Sequence, residues 1–178
     1  MSAAPAGHGA NLLGALALAV SDRVAEAGAD RSGRSESAAA ALSALDQFLG
    51  HPSIDQLAQV LGLSQSGTVR LVDRLEGDGL VQRGAGEDGR ITTVSLTPAG
   101  HRAAHRLEAA RLEVLDGVLE PLTVTERRSF SALLGRILVG MMREPGATRW
   151  ICRLCDLSAC GRPAGHCPLE REARLRYG

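Results

Sequence analysis

The stretch from Ser53 to Leu96 constrains this chain more than any other. Ser53-Ile54-Asp55-Gln56 is a capping-box pattern, in which a serine hydroxyl accepts from a backbone amide three residues on and a glutamine reaches back. Ile54, Leu57, Val60 and Leu61 then share one helical face, and Gly62 ends the helix. Ser64 is placed to cap a second helix that runs to residues 77–79. Two helices of about ten and fourteen residues, joined by a short glycine-containing turn, make a helix-turn-helix. Two short strands are expected at once, residues 80–83 and 91–96, the second alternating apolar and polar from Thr93 to Leu96. Between them Gly84-Ala85-Gly86-Glu87-Asp88-Gly89-Arg90 reads as a charged hairpin loop. A helix-turn-helix followed by such a hairpin is a winged helix.

The flanks are helical. Leu12, Leu13, Leu16, Val20 and Val24 recur at helical spacing over residues 11–27, and a polar linker is expected at 28–35. Residues 36–49 are alanine-rich with Leu42, Leu45 and Leu49 on one face, stopping at Gly50-His51-Pro52. Downstream, Thr97-Pro98 reopens helix with proline at its first position, and Leu107, Leu112, Leu115 and Leu119 carry it towards Pro121. A second capping box, Thr123-Val124-Thr125-Glu126, starts a strongly apolar helix bearing Phe130, Leu133, Leu134, Ile137, Leu138, Met141 and Met142. Glu144-Pro145-Gly146 breaks it, and the tail beyond regains a helical period only at 169–175. The fold class expected is mainly α with a small β part (α+β). It divides into an N-terminal dimerisation helix and linker (1–35), a winged helix-turn-helix (36–100), C-terminal dimerisation helices (101–145) and a cysteine-rich extension (146–178).

Composition narrows the function classes. A chain of 178 residues has room for one domain and an appendage. Aromatic residues are 2%, only Phe48, Phe130, Trp150 and Tyr177, which argues against a ligand pocket walled by rings. Twenty basic residues, all arginine, offset twenty acidic ones, so bulk charge points to neither nucleic acid nor membrane. The apolar run at 10–20 is too short to span a bilayer and has no preceding cation, so a soluble cytoplasmic protein with no membrane partner is expected. No nucleophile–base pair, phosphate-cradling glycine loop or carboxylate constellation is present, so an enzyme is not expected.

On the second helix of the pair, Val69, Leu71, Val72 and Leu75 are expected to face the core, with Ser66, Gly67, Arg70, Asp73 and Arg74 opposite. Gln65 falls on the core side by angle but sits at the helix start, from where it reaches outward. A helix entering a major groove needs small residues at its N-terminal end and long donors one and two turns on. Ser66 and Gly67 supply the clearance, and Arg70 and Arg74 the donors. Arg70 paired bidentately with a guanine is worth about 1–3 kcal/mol against a wrong base. The plain alternative is a solvated arginine face. In the hairpin loop Arg90, oriented by Asp88, is placed to enter a minor groove, or else to pair with Asp88 at the hairpin base. Residues 53–102 hold five arginines against six acidic residues, so binding must rely on one arginine-bearing face doubled by dimerisation.

These residues resemble a known family. The run Ser53-Ile54-Asp55-Gln56-Leu57-Ala58, Leu61-Gly62-Leu63-Ser64, Val69-Arg70-Leu71-Val72-Asp73-Arg74-Leu75-Glu76, Gly79-Leu80-Val81, Asp88-Gly89-Arg90 and Leu96-Thr97-Pro98-Ala99-Gly100 looks like the MarR family of bacterial transcriptional regulators. With its flanking helices the likeness covers about residues 11–142. It implies an obligate homodimer with interleaved first and last helices, each winged helix reading half of a pseudo-palindromic operator in double-stranded DNA. It also implies that Arg70 is a groove-reading position and Arg90 the wing arginine. The family's Asp-Arg-Arg wing is here Asp88-Gly89-Arg90, which removes one expected backbone contact. Aromatic ligands sensed by many members are not carried over to a chain this poor in rings.

The four cysteines, Cys152-x2-Cys155-x4-Cys160-x6-Cys167-Pro168, lie in the tail, outside the part that resembles the family. In a reducing compartment such clustering points to a metal centre rather than a disulfide framework. An iron–sulfur cluster and a four-thiolate zinc site both suit the spacing, with metal-free thiols or disulfides the remaining alternative. Arg149, Arg153 and Arg162 are close enough in sequence to offset thiolate charge. His166 beside Cys167 reads as a solvated neighbour, as do His101 and His105 one helical turn apart, and Trp150 reads as an anchor for the tail. The function expected is a sequence-specific DNA-binding regulator, responsive to redox or metal status through the cysteines. The alternative is a small metal or electron-transfer protein that uses the winged helix as a protein-interaction scaffold. Whether a small molecule is also sensed is left open.

Overall fold

The computed structural model describes residues 7–32, 35–86 and 91–177, with residues 29–32 described by their backbone alone. Six long or medium helices and two strands follow one another as α1 (His8–Ser32), α2 (Glu36–Gln47), α3 (Ile54–Leu61), α4 (Gln65–Gly77), β1 (Val81–Ala85), β2 (Thr92–Leu96), α5 (Pro98–Leu119) and α6 (Val124–Met141). Two further helices, α7 (Ala147–Ile151) and α8 (Pro168–Tyr177), lie in the tail. The mainly helical winged-helix architecture is as expected. Helix α1 runs through Gly28 to Ser32, past the expected end at 27 and into the stretch expected as linker. Helix α5 is continuous across the boundary drawn at residue 100.

Side-chain caps start the central helices. Ser35, Ser53, Ser64, Thr97 and Thr123 each accept from a backbone amide three residues on. Ser53/Gln56 and Thr123/Glu126 close full capping boxes, as their spacing predicts. Gly62 ends α3 at φ 64°, a left-handed conformation that glycine adopts without cost. The antiparallel pair holds the register Val81↔Leu96 through Ala85↔Thr92, and Val94 N–H also donates to Pro52 O at 3.0 Å. The base of the hairpin is thereby tied to the start of α3.

Most of the core belongs to the winged helix. Leu42 and Leu45 of α2, Leu57 and Leu61 of α3, Leu71, Val72 and Leu75 of α4, Leu80 and Val81 before and in β1, and Val94 of β2 bury together with Ala103 and Ala104 of α5. Helix α1 packs along α5, whereas α6 meets chiefly α8 and buries none of its own residues. Leu133, Ile137 and Met141 of α6 and Leu12, Leu13, Leu16 and Leu18 of α1 stay exposed within the single chain.

Candidate functional site

Helix α4 presents the expected polar face. Gln65, Ser66, Arg70, Asp73 and Arg74 are exposed and Gly67 is half-buried. Ser64 Oγ accepts from Gly67 N–H at 3.2 Å, which brings the first turn close to its cap. Gln65 Nε2 donates to Asp55 Oδ1 at 2.9 Å, so this side chain bridges the starts of α4 and α3. Val69 departs from expectation: it is exposed, and Thr68 is fully buried instead, its hydroxyl donating to Ser64 O at 3.1 Å. Thr68 lies at the angular centre of the arc that Leu71, Val72 and Leu75 define, and Val69 lies about 100° further round. A threonine can take the central core place because its hydroxyl is satisfied by its own helix.

The acidic residues of α4 are occupied by a residue that periodicity did not single out. Arg83 of β1 forms an ion pair with Asp73 at 2.6 Å and another with Glu76, and its own N–H donates to Glu76 Oε1 at 3.2 Å. The pairing holds the Arg83 guanidinium above its already high usual pKa, against the opposing effect of its burial. Among the described residues no carboxylate pairs with Arg70 or Arg74. The wing strand thus neutralises the acids beside them and leaves both guanidinium groups facing outward. Asp88 and Arg90, expected in the wing, lie outside the described residues.

The cysteines are drawn together in the tail. Cys152 and Cys167 are buried with Met142 and Leu169, and Cys155 and Cys160 pack against that cluster. Cys152 hydrogen-bonds with Cys155 and Cys160 with Cys167, and each pair feels the charge of the other. The hydrogen bond from Cys152 lowers the Cys155 thiol to about 7, helped by Arg111 and Arg162, while Cys152 is pushed well up by the same bond and by burial. Burial, then the bond to Cys167, pushes Cys160 up to about 12. Of the arginines expected to offset this charge, Arg162 is in place. Arg153 instead lies over the Trp150 ring at 4.9 Å and pairs loosely with Glu36 at 3.9 Å, and Arg111 of α5 supplies the second cation. Among the described residues no three His, Cys, Asp or Glu side chains stand as a ready-made metal ligand set.

The MarR family profile matches residues 32–91. An uncharacterized HTH-type transcriptional regulator, YwhA of Bacillus subtilis, is 28% identical over 89 residues, which are 49% of this chain and 64% of that relative's length. A probable transcriptional regulator from Pseudomonas aeruginosa is 31% identical, with 70% of this chain and 95% of that one covered at a TM-score of 0.56. The chain belongs to the MarR family. A MarR family protein from Bacillus stearothermophilus is similar as well, at 26% identity and a TM-score of 0.68, covering 75% of this chain and 92% of its own. Both YwhA and the Pseudomonas aeruginosa protein are named as transcriptional regulators. Among the described residues no helix is long and apolar enough to cross a membrane.

In this MarR-family chain the region between α1, α2, α5 and the tail is polar as well as apolar. A cavity of about 490 Å³ is lined by Val20, Val24, Leu107, Leu115 and Leu154 together with Glu36, Glu108 and Arg111, and no ring lines it. Just beside it Asp46 of α2 meets both histidines of α5, His101 at 2.6 Å and His105 at 3.3 Å. The two histidines, read from the sequence as solvated, thus tie α5 to α2 while their rings stay largely exposed.

Glu108 accepts from Gln47 Nε2 at 2.9 Å. Its pKa is raised by burial first, then by Asp156 and Asp46, against the pull of His105 and Arg111. The folded state therefore favours the protonated acid. That preference costs nothing below the ordinary glutamate range and a full increment once pH rises above the raised value. Glu108→Gln, which keeps an acceptor for Gln47, is expected to raise the thermal midpoint at neutral pH by the equivalent of under about 1 kcal/mol. The gain should vanish near pH 4, in keeping with a free glutamate pKa of about 4.3. Paired melts at the two pH values measure it, and an equal shift at both would assign the effect to something other than charge.

Proposed function

We propose that the chain is a homodimeric, sequence-specific transcriptional regulator that lays α4 in the major groove of double-stranded DNA. The observation that carries this reading is the outward face of α4, where among the described residues no carboxylate pairs with Arg70 or Arg74 while Arg83 binds the neighbouring acids Asp73 and Glu76. Ser66 and Gly67 give the first turn of α4 the small profile that close approach to base edges needs. The wing loop with Asp88 and Arg90 would follow the phosphate backbone into the adjacent minor groove. Dimerisation is supported by the uncovered apolar faces of α1 and α6. Responsiveness to metal or redox status would enter through the cysteines, because the tail that bears them rests on the helix-turn-helix.

Selection from a random duplex library, followed by titration of the enriched and a scrambled sequence over a range of salt, tests the reading. The full chain is expected to prefer the enriched duplex. Arg70→Ala should weaken that complex by about 10- to 100-fold and the scrambled complex far less, as for a lost base contact of about 1–3 kcal/mol. Arg74→Ala, if it loses one phosphate contact, should weaken both complexes and reduce the salt slope by about one. No enrichment at low ionic strength, or an Arg70→Ala chain indistinguishable from the parent, would leave the winged helix as a protein-binding scaffold.

A further inference from the structure

We propose that Cys152, Cys155, Cys160 and Cys167 together bind one thiophilic metal centre, either a zinc ion or an iron–sulfur cluster, which staples the tail to the helix-turn-helix. All four cysteines lie in one small cluster, Cys152 and Cys167 buried with Met142 and Leu169, and Cys155 and Cys160 packed against them. A zinc ion takes four thiolates at about 2.3 Å, which places them about 3.8 Å from one another. Each cysteine reaches its sulfur through a single side-chain torsion, so side-chain rotation is the movement by which these packed thiols would converge on a metal.

The backbone between the ligands is already folded back on itself. Cys155 N–H donates to Cys152 O at 2.9 Å and Cys160 N–H to Asp156 O at 3.0 Å. The Asp156 carboxylate gathers Ser158 N–H, Ser158 Oγ and Ala159 N–H within 3.0 Å, closing the loop from Cys155 to Cys160. Gly161 and Gly165, at φ 67° and 73°, turn the chain so that His166 N–H reaches Gly161 O at 2.9 Å, which returns Cys167 to Cys160. The charges of Arg162, which pairs with Glu170 at 2.6 Å, and of Arg111 of α5 both lower the Cys155 thiol, and Arg162 also lowers Cys152 and Cys160. Two cations therefore meet a centre whose four thiolates leave about two negative charges on zinc.

The remaining apolar material does not account for this order. Of the four buried residues in the cluster, two are the cysteines themselves, which leaves Met142 and Leu169, with Leu138, Ala147 and Ile151 only partly buried against them. Segments with so small a core are ordinarily held by a metal or by disulfides, and all four cysteines are free thiols.

The centre would act on the DNA-reading end through the residues just before Cys152. The Trp150 ring packs on Gly62, its Nε1 3.3 Å from where a Cβ on that glycine would lie, and Gly62 is in the turn between α3 and α4. Leu154 joins the main core, and Leu157 N–H donates to Gln47 Oε1 at 3.2 Å. On its other side Pro168 rests against Gly135 of α6, 3.3 Å from the same kind of Cβ position. The strap from α7 to α8 thus joins the helix-turn-helix to α6, and a metal at its middle fixes both attachments.

The test contains no DNA, so its outcome is separate from that of the proposed function. The full chain, purified without oxygen, is expected to carry one centre per chain, read by metal and sulfide analysis with a visible spectrum. Colourless stoichiometric zinc, or iron with sulfide and charge-transfer absorption, each bears the proposal out and names the occupant. Stripping the metal with a chelator should expose four thiols to a thiol reagent and shift the emission of Trp150, the only tryptophan of the chain. Restoring zinc or cluster should reverse both changes. Cys155→Ser and Cys160→Ser, at the two half-buried ligands, should lose the metal, and His166→Ala should keep it. A metal-free chain with four reactive thiols, a chain with two disulfides, or metal that survives both cysteine substitutions overturns the proposal.

Discussion

Replacing Gly100 by alanine is expected to destabilise the fold more than any other single methyl addition among the described glycines. A Cβ built on Gly100 lies 2.0 Å from Leu80 O, 3.0 Å from Leu80 C and 3.1 Å from Leu96 Cδ2. The first two contacts are with backbone, which cannot rotate away as a side-chain end can. Helix α5 cannot withdraw either. Thr97 N–H donates to Leu80 O at 3.0 Å, Thr97 Oγ1 donates to Gly79 O at 2.6 Å, and that same oxygen accepts from Gly100 N–H at 3.1 Å. Relieving the clash therefore breaks the joint between the wing and α5. Overpacking usually costs about 1–3 kcal/mol, and a clash with fixed backbone belongs at or above the top of that range. Gly77→Ala makes the contrast: its Cβ meets nothing within 4 Å, and a helical alanine there should be neutral or stabilising by up to about 1 kcal/mol. Urea unfolding of the two variants checks the opposite signs, and a Gly100→Ala midpoint equal to the parent would show that the joint gives way freely.

The elements most legible from sequence were those whose signals are local. Serine or threonine caps with their third-residue amides, and a glycine able to turn left-handed at position 62, act within a few residues of the helix ends they define. Where tertiary contact decides, the pattern was silent. Helix α7 has Gly146 before it and no side-chain cap, and it is held by Trp150 against Gly62 instead. Strand β1 extends through Gly84 and Ala85, weak strand formers on their own, because Thr93 and Thr92 of β2 supply the ladder opposite. Helix α1 passes over Gly28 because its packing along α5 outweighs the helix cost of one glycine.

The site divides in the same way. Arg70 and Arg74 could be placed from the 100° step of one helix, and the structure leaves both outward. The role of Arg83 could not, since it depends on how the first wing strand crosses α4, a non-local fact with no periodic trace. Thr68 was obscured by chemistry: a hydroxyl residue reads as surface until its donation to Ser64 O is seen. Near the cysteines, Arg162 was visible as a sequence neighbour, whereas Arg111 arrives from α5 and has no such mark. Arg153 was lost to the Trp150 ring and Glu36 for a related reason, competition from a partner on another element.

The uncovered face of α6 carries the second large prediction. Leu133, Ile137 and Met141 recur at four-residue spacing, 53%, 45% and 52% exposed, on a helix that buries nothing within its own chain. Helix α1 shows a matching run from Leu12 to Leu18. Fully burying a leucine or isoleucine is worth about 1.5–3 kcal/mol, and in a two-fold dimer every such residue counts twice. Ile137→Glu removes that gain in both copies and asks the interface to desolvate two carboxylates. It is expected to give a monomer at micromolar concentration, measured by sedimentation. The winged-helix core should survive, because none of its buried residues comes from α6. Binding to the enriched duplex should then fall by at least about 100-fold, since the second half-site no longer benefits from the effective concentration that a dimer provides. The paired readouts separate the causes: a folded monomer with weak DNA binding places the dimer on this face, whereas a variant that stays dimeric places it elsewhere. A folded monomer that binds the duplex as tightly as the parent would break the link between dimerisation and operator reading, and with it the need for two copies of α4 on one duplex.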